Sequence, residues 1–125
     1  MSRFEDLVED ACSRIRETSV EELHRRIEDG ERFYLVDVRE AGEWGRARIP
    51  GAGWLGKGVI ERDIERAIPD PGAEIVLYCG GGYRSALAAD SIQKMGYRNV
   101  RSLAGGIGAW FRAGHPLDQE PREGP

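Results

Sequence analysis

The sequence predicts an α/β fold in which a small parallel β-sheet is flanked by helices on both faces. Two short segments, 33–38 and Ile75–Tyr78, are almost continuously apolar, which is typical of strands buried on both faces. Amphipathic segments of helical period lie between such strands and are joined to them by short turns. A chain of 125 residues is long enough to bury one core.

The first half of the chain predicts two helices and two strands. Residues 3–13 have four apolar side chains at helical spacing. Ser19 is expected to cap a second helix, which Gly30 ends. The strand 33–38 is followed by a polar segment with a helical turn, and a second short strand is expected at 54–55.

The second half predicts the clearest strand–loop–helix unit. A helix over 59–67 ends at a Pro-rich turn, and the strand Ile75–Tyr78 then enters a glycine loop. A helix over 84–95 follows the loop, and a last strand over 99–103 leads through two glycines into a final helix. Alternation of this kind favours parallel pairing of the strands.

Three regions are expected. Residues 1–18 are predicted to be an N-terminal helical extension, 19–117 the main domain, and 118–125 a frayed C-terminal tail that is polar and contains Pro and Gly.

Composition limits the partners. The 18 basic and 22 acidic residues give a net charge of −4, which disfavours nucleic-acid binding. No apolar run approaches the length of a membrane helix, and the N-terminus lacks the pattern of a signal peptide. Two cysteines in a chain without an export signal predict location in the reducing cytoplasm and no disulfide framework. The sequence alone does not exclude a single disulfide between them.

Cys79 is the candidate catalytic residue. It lies between a buried strand and a helix start, at the carboxyl edge of the predicted sheet, where ligands of such sheets bind. The unpaired N–H groups of a first helical turn and the positive end of the helix dipole favour negative charge there. Such surroundings stabilise a thiolate.

The residues after Cys79 are the candidate substrate-binding residues. The glycines can adopt positive φ and turn their N–H groups inward. The arginine adds a permanent charge, the tyrosine ring is expected at the rim of the pocket, and the serine adds a hydroxyl. These residues are Gly80, Gly81, Gly82, Tyr83, Arg84 and Ser85.

Two other interpretations of this loop stay open at this point. A buried cysteine is often only a small apolar side chain, and a run of glycines can be a flexible turn. The position at a strand–helix junction, followed by Arg84, favours chemistry over packing. A nucleotide-binding P-loop is excluded, since no Gly-Lys-Ser/Thr closes the loop.

Six blocks of the sequence, in this order, are similar to those of a rhodanese-like domain, and the resemblance covers 19–117. They are Asp37-Val38-Arg39-Glu40, Glu43-Trp44, Ile49-Pro50-Gly51-Ala52, Cys79-x4-Arg84-Ser85, Gly105-Gly106 with Ala109-Trp110, and Ala113-Gly114-His115-Pro116.

The resemblance implies a single-domain α/β sulfurtransferase. Cys79 would take sulfane sulfur from a small anionic donor such as thiosulfate, hold it as a persulfide, and pass it to a thiol or protein acceptor. No metal or organic cofactor is implied. A persulfide carrier or sensor, or an interaction module with negligible turnover, is the alternative.

Loop length bears on a third function, phosphate-ester hydrolysis. Phosphatases with a similar cradle have the pattern Cys-x5-Arg, whereas Arg84 lies five residues after Cys79. The shorter loop favours a sulfur over a tetrahedral phosphate, so the phosphatase is the weaker hypothesis.

The chain departs from the family at two places. The family often has His where this chain has Arg48, so any role of that His must pass to Arg48 or be lost. Loops that use thiosulfate often contain a basic residue, and residues 80–83 contain none. Efficient use of thiosulfate is therefore in question, and another persulfide source is open.

Three further residues are candidates outside the loop. Asp37 and Arg39 end a strand at the same sheet edge and are expected either to order the active loop or the segment 40–48, or to form an ordinary ion pair. Cys12 is a candidate resolving thiol, although its place on the apolar side of a helix favours packing.

Overall fold

The computed structural model describes residues 2–119. Its helices are α1 (Arg3–Cys12), α2 (Val20–Glu28), α3 (Ala41–Arg46), α4 (Ile60–Ala67), α5 (Tyr83–Lys94) and α6 (Gly106–Arg112). Its strands are β1 (Arg16–Thr18), β2 (Tyr34–Asp37), β3 (Gly53–Trp54), β4 (Ile75–Tyr78) and β5 (Val100–Leu103). No helix within 2–119 is both long enough and apolar enough to cross a membrane.

The strands form one parallel sheet in the order β1-β5-β4-β2-β3. Strand β4 is central, with Leu77 opposite Val36 of β2 on one side and Ser102 of β5 on the other. Because all strands run the same way, their carboxyl ends share one edge of the sheet. The loop that follows β4 therefore lies at that edge, between the loops that follow β2 and β5.

Helices cover both faces of the sheet, which confirms the predicted fold class. Side chains alternate along β4 because successive residues of a strand point to opposite faces. Ile75 and Leu77 pack in the core beneath α4 and α5. Val76 and Tyr78 pack on the other face, beneath α2 and α6. All four side chains are fully buried, which explains the continuous apolar run in the sequence.

The N-terminal segment differs from its prediction. The helical extension predicted over 1–18 is helical over Arg3–Cys12, but Arg16–Thr18 forms edge strand β1, paired with β5. This strand gave no sequence signal because it has three polar residues and one neighbouring strand. Arg14, between α1 and β1, holds Asp90 of α5 by two hydrogen bonds of 2.9 and 2.8 Å.

The predicted frayed tail, 118–125, is described only at its start. Asp118 forms two backbone hydrogen bonds of 2.9 Å with Arg48, so this first residue is tied to the body of the protein. Residues 120–125 lie outside the described residues.

Candidate active site

The Cys79 sulfur lies at the floor of the loop between β4 and α5. The Gly82 N–H donates to it at 3.1 Å and the Ser85 N–H at 3.4 Å. Cys79 is 1% exposed, so these donors act where little water competes with them. Negative charge on the sulfur is stabilised by this arrangement, as at other helix N-termini.

A hydroxyl chain extends this environment. The Ser85 Oγ lies 3.5 Å from the Cys79 Sγ and 2.8 Å from the Oγ of Ser102 on β5. Both serines are buried. When Ser102 donates to the Ser85 oxygen, the single Ser85 proton is left to point at the Cys79 Sγ. The sequence indicated Ser85 as a site residue but not Ser102. Ser102 is distant in sequence and comes close to the site only because β5 pairs with β4.

The loop glycines have three different roles. Gly82 has φ of 98°, in the left-handed region, and lies so close to the turn after β5 that a Cβ would be 3.1 Å from the Gly105 nitrogen. Gly80 leaves room for the Arg84 guanidinium, since a Cβ there would be 3.1 Å from its Nη2. Gly81 is exposed at the tip, with open space around it. Positive φ, considered for all three glycines, occurs only at Gly82.

The start of α6 holds the loop from the other side. The Ile107 N–H donates to the Cys79 carbonyl at 2.8 Å, and the Gly108 N–H donates to the Gly80 carbonyl at 3.0 Å. Gly106, with φ of 58°, permits this approach, because a Cβ there would lie 2.6 Å from the Gly80 oxygen. The sequence showed the two glycines at the start of this helix without indicating this contact.

Arg84 binds a carboxylate that the sequence analysis did not single out as a site residue. Its Nη1 and Nη2 donate to the Oε1 and Oε2 of Glu43 at 2.7 and 3.1 Å. These bonds lower the pKa of Glu43 from 4.5 to about 2. They also raise the pKa of Arg84, and a weaker interaction of Arg84 with the Cys79 side chain adds to this rise. The positive charge expected in the loop is thus largely neutralised.

Asp37 and Arg39 fix the segment that contains Glu43. The fully buried Asp37 carboxylate accepts hydrogen bonds from the Arg39 Nε and Nη2 at 3.0 and 2.7 Å. The Arg39 Nη2 also donates to the Ala47 carbonyl at 2.6 Å, just beyond the end of α3. The pair therefore contacts the segment 40–48 and not the Cys79 loop, and its role in the reaction stays a prediction.

Tyr83 lies on the rim of the site, but its ring turns toward α1. The ring packs edge-to-face on Phe4, with 6.0 Å between centroids, and Tyr83 is 57% exposed. The ring expected at the rim of the pocket therefore makes its aromatic contact with the N-terminal helix.

Both cysteines are free thiols. Burial raises the pKa of Cys12, and the Glu17 carboxylate adds to the rise. A thiol of this kind is a poor nucleophile at neutral pH, which does not favour a resolving role. Within residues 2–119, no three His, Cys, Asp or Glu side chains form a group that could hold a metal ion.

The sequence model of the rhodanese-like domain family matches residues 19–113 of this chain. The chain belongs to this family. A sulfurtransferase of Allochromatium vinosum is 35% identical over 103 residues, which cover 82% of this chain and 94% of that protein. A putative sulfur carrier protein of Bacillus subtilis is 31% identical, over 79% of this chain and 52% of that protein.

Solved structures agree with the rhodanese-like fold. A protein of unknown function from Rhodopseudomonas palustris, described as a possible tyrosine phosphatase, is 31% identical, with a TM-score of 0.83 and coverage of 94% and 96% of the two chains. The thiosulfate sulfurtransferase of Pseudomonas aeruginosa also has a TM-score of 0.83, at 21% identity over 94% of this chain and 23% of that one. This second likeness shows the fold alone.

The relatives support rhodanese-type sulfur transfer as the role of this rhodanese-like domain. The chain spans nearly all of the Allochromatium protein but only about half of the Bacillus sulfur carrier. The names of these two relatives imply a sulfur donor and a sulfur acceptor in general terms. They do not say which donor or which acceptor is used.

Proposed function

We propose that this protein is a sulfurtransferase that holds sulfane sulfur as a persulfide on Cys79. The observation that supports this most is the set of donors around the Cys79 Sγ, two backbone N–H groups and the Ser85 hydroxyl. These donors favour the thiolate that attacks and the anionic persulfide that results.

The reaction has two displacements and needs no oxidant. The Cys79 thiolate attacks the outer sulfur of the donor and forms an S–S bond, while the donor leaves with the electron pair of its own bond to that sulfur. An acceptor thiolate then attacks the outer sulfur of the persulfide. The electron pair of the Cys79 S–S bond returns to Cys79, which leaves as the thiolate.

The charge of the loop favours a donor that brings little negative charge into the loop itself. Arg84 is paired with Glu43, and residues 80–83 provide no cation. A thiosulfate dianion would meet a nearly neutral loop, with backbone dipoles as its main attraction. A thiol persulfide brings only the charge of its sulfur pair into the loop and keeps its other charges further away, so we propose it as a better donor than thiosulfate.

Intact mass spectrometry of the whole chain tests the persulfide. The reduced protein is incubated in parallel with thiosulfate, glutathione persulfide and 3-mercaptopyruvate. A gain of one sulfur is expected in the wild type and in Cys12→Ser, but not in Cys79→Ser. Absence of the gain with all three donors, or its persistence in Cys79→Ser, would overturn the proposal.

Turnover separates an enzyme from a carrier, a distinction raised by the name of the Bacillus relative. The loaded protein is mixed with excess cyanide or glutathione and a continuous supply of donor. Many product molecules per Cys79 indicate a sulfurtransferase. A single stoichiometric release indicates a carrier or sensor, in which the persulfide is kept for a partner protein.

Phosphate-ester hydrolysis is the second candidate, because the Rhodopseudomonas protein is described as a possible tyrosine phosphatase. Two N–H groups are directed at the sulfur, and the loop arginine is bound to Glu43, so few donors are free for three phosphate oxygens. Hydrolysis of p-nitrophenyl phosphate that Cys79→Ser abolishes, without any sulfur loading, would favour this function.

A further inference from the structure

A groove lies beside the Cys79 loop, between α1 and the start of α5. It has a volume of about 200 Å³ and is lined by Phe4, Glu5, Val8, Glu9 and Tyr83. Phe4 is 47% exposed and Tyr83 57%, so two aromatic rings face solvent at the rim of the site. Apolar surface of this kind beside a reactive group is typical of an interaction site.

The groove exists because α1 runs alongside α5 in the same direction. At their N-terminal ends Phe4 packs on Tyr83, and beyond the end of α1 Arg14 binds Asp90. This places the first turn of α1 at the same end of the protein as the Cys79 loop. Helix α1, which forms this wall of the groove, precedes the residues 19–113 that match the family model.

The charged side chains that line the groove are both acidic. Glu5 and Glu9 are exposed, and neither forms an ion pair within residues 2–119. Asp6 adds a third carboxylate to the same turns of α1, against the single cation Arg3. A partner with complementary charge is therefore cationic.

We propose that this groove docks a protein sulfur acceptor that presents a cysteine beside a large apolar side chain and a lysine or arginine. The apolar side chain fills the groove, the cation meets Glu5 and Glu9, and the cysteine reaches the loop next to Tyr83. The acceptor thiolate then removes the outer sulfur of the persulfide, as described above. The proposal rests on the proposed function, since it requires a persulfide on Cys79.

The test measures how fast the persulfide of the full chain is discharged to three synthetic peptides, Lys-Leu-Cys-Lys, Glu-Leu-Cys-Glu and Lys-Gly-Cys-Lys. Each rate is compared between protein variants for the same peptide, which cancels the intrinsic reactivity of its thiol. The double variant Glu5→Lys/Glu9→Lys is expected to discharge to Lys-Leu-Cys-Lys roughly tenfold more slowly than the wild type at low salt. Its rate with Glu-Leu-Cys-Glu should rise.

Two controls separate docking from net charge and from folding. Glu21→Lys/Glu61→Lys changes the net charge equally, on exposed positions of α2 and α4, and should stay close to the wild type. Glu5→Gln/Glu9→Gln removes the charge without placing cations at a helix N-terminus, and should give an intermediate rate. Discharge to 2-mercaptoethanol should be equal in all variants.

Equal rates for the groove and control variants with every peptide would overturn the proposal. So would a dimer of this chain that buries the groove, seen by sedimentation. If Cys79 takes no sulfur, the proposed function fails whether or not the groove binds a peptide. Binding to the groove is then tested separately with the peptide Lys-Leu-Ser-Lys, which has no thiol. Shifts of the α1 amide signals in NMR would support docking, and their absence would overturn it.

Discussion

Helices α5 and α6 begin in the same way but bind different groups. Each follows an interior strand of the sheet, and each is preceded by a left-handed glycine, Gly82 with φ of 98° and Gly105 with φ of 77°. The N–H groups of Gly82, just before α5, and of Ser85, in its first turn, reach the sulfur of Cys79. Those of α6 reach the carbonyls of Cys79 and Gly80.

This difference separates charge stabilisation from positioning. The charge on the sulfur changes during the proposed reaction, so donors at α5 affect its energy directly. The backbone carbonyls carry the same partial charge throughout, so donors at α6 only hold the loop in place. A loop that the hydrogen bonds of α6 hold in place does not need to rearrange when the sulfur becomes anionic. Preorganised catalysis requires such a fixed arrangement.

The largest effect is expected from removing the hold of α6. In Gly106→Ala the new Cβ would lie 2.6 Å from the Gly80 oxygen, at φ of 58°, so the loop must move away from α6. We expect a loss of about 2–4 kcal/mol in the free energy of unfolding. Persulfide formation should fall roughly a hundredfold, because small displacements of reacting groups cost that much. Urea unfolding and the rate of mass gain measure the two effects.

Gly30→Ala is the matched control for this variant. Gly30 also has positive φ, of 68°, but nothing lies within 4 Å of its Cβ position. It should lose about 1 kcal/mol from backbone strain and keep the wild-type loading rate. A loading rate in Gly106→Ala equal to that of Gly30→Ala would show that α6 does not position the loop.

A smaller effect is expected from removing one donor at α5. Ser85→Ala deletes the hydroxyl that lies 3.5 Å from the Cys79 Sγ. A hydrogen bond from one hydroxyl at this long distance, worth about 1 kcal/mol, corresponds to roughly a five- to tenfold slower loading rate. The control is Ser102→Ala, which keeps the Ser85 hydroxyl and should slow loading less. Equal rates in both variants would assign the effect to the serine pair and not to the donor at the sulfur.

The contrast between the two helices also explains what the sequence could predict. The α5 side is local, since Cys79, the glycines and Ser85 lie within seven consecutive residues. Their residue types therefore indicated both the strand–helix junction and the candidate nucleophile. The parallel sheet could be predicted for the same reason, because the buried strands β2 and β4 each have their own apolar run.

The α6 side and Glu43 depend on contacts between distant segments. Gly106 is needed only because α6 meets the β4–α5 loop, and Glu43 binds Arg84 across 41 positions of sequence. Strand β1 was missed because Arg16–Thr18 is polar and pairs with β5 at the edge of the sheet. No local period reports such pairings.

A modest change in donor preference is expected from releasing Arg84 at the start of α5. In Glu43→Gln the guanidinium is no longer neutralised, so the α5 end becomes more positive while the α6 end is unchanged. We expect kcat/KM for thiosulfate to rise roughly two- to fivefold, in line with about 0.5–1 kcal/mol for a partly exposed charge pair. The value of kcat/KM for glutathione persulfide should rise less. The control is Glu40→Gln, which removes an exposed charge at the N-cap of α3, the helix that contains Glu43. It should change neither rate.

The smallest effect is expected in the acid stability of the same pair. The pKa of Glu43 is lowered to about 2 by Arg84, so its stabilisation is fully present above pH 4.5 and decreases as the pH falls toward 2. Because the Glu43 side chain is 36% exposed, solvent screening limits this contribution to on the order of 0.5 kcal/mol. Urea midpoints at pH 7, 4.5 and 3 should show the wild type losing slightly more stability than Glu43→Gln below pH 4.5. Parallel pH profiles for the two proteins would mean that the pair contributes to the charge of the loop and not to the stability of the fold.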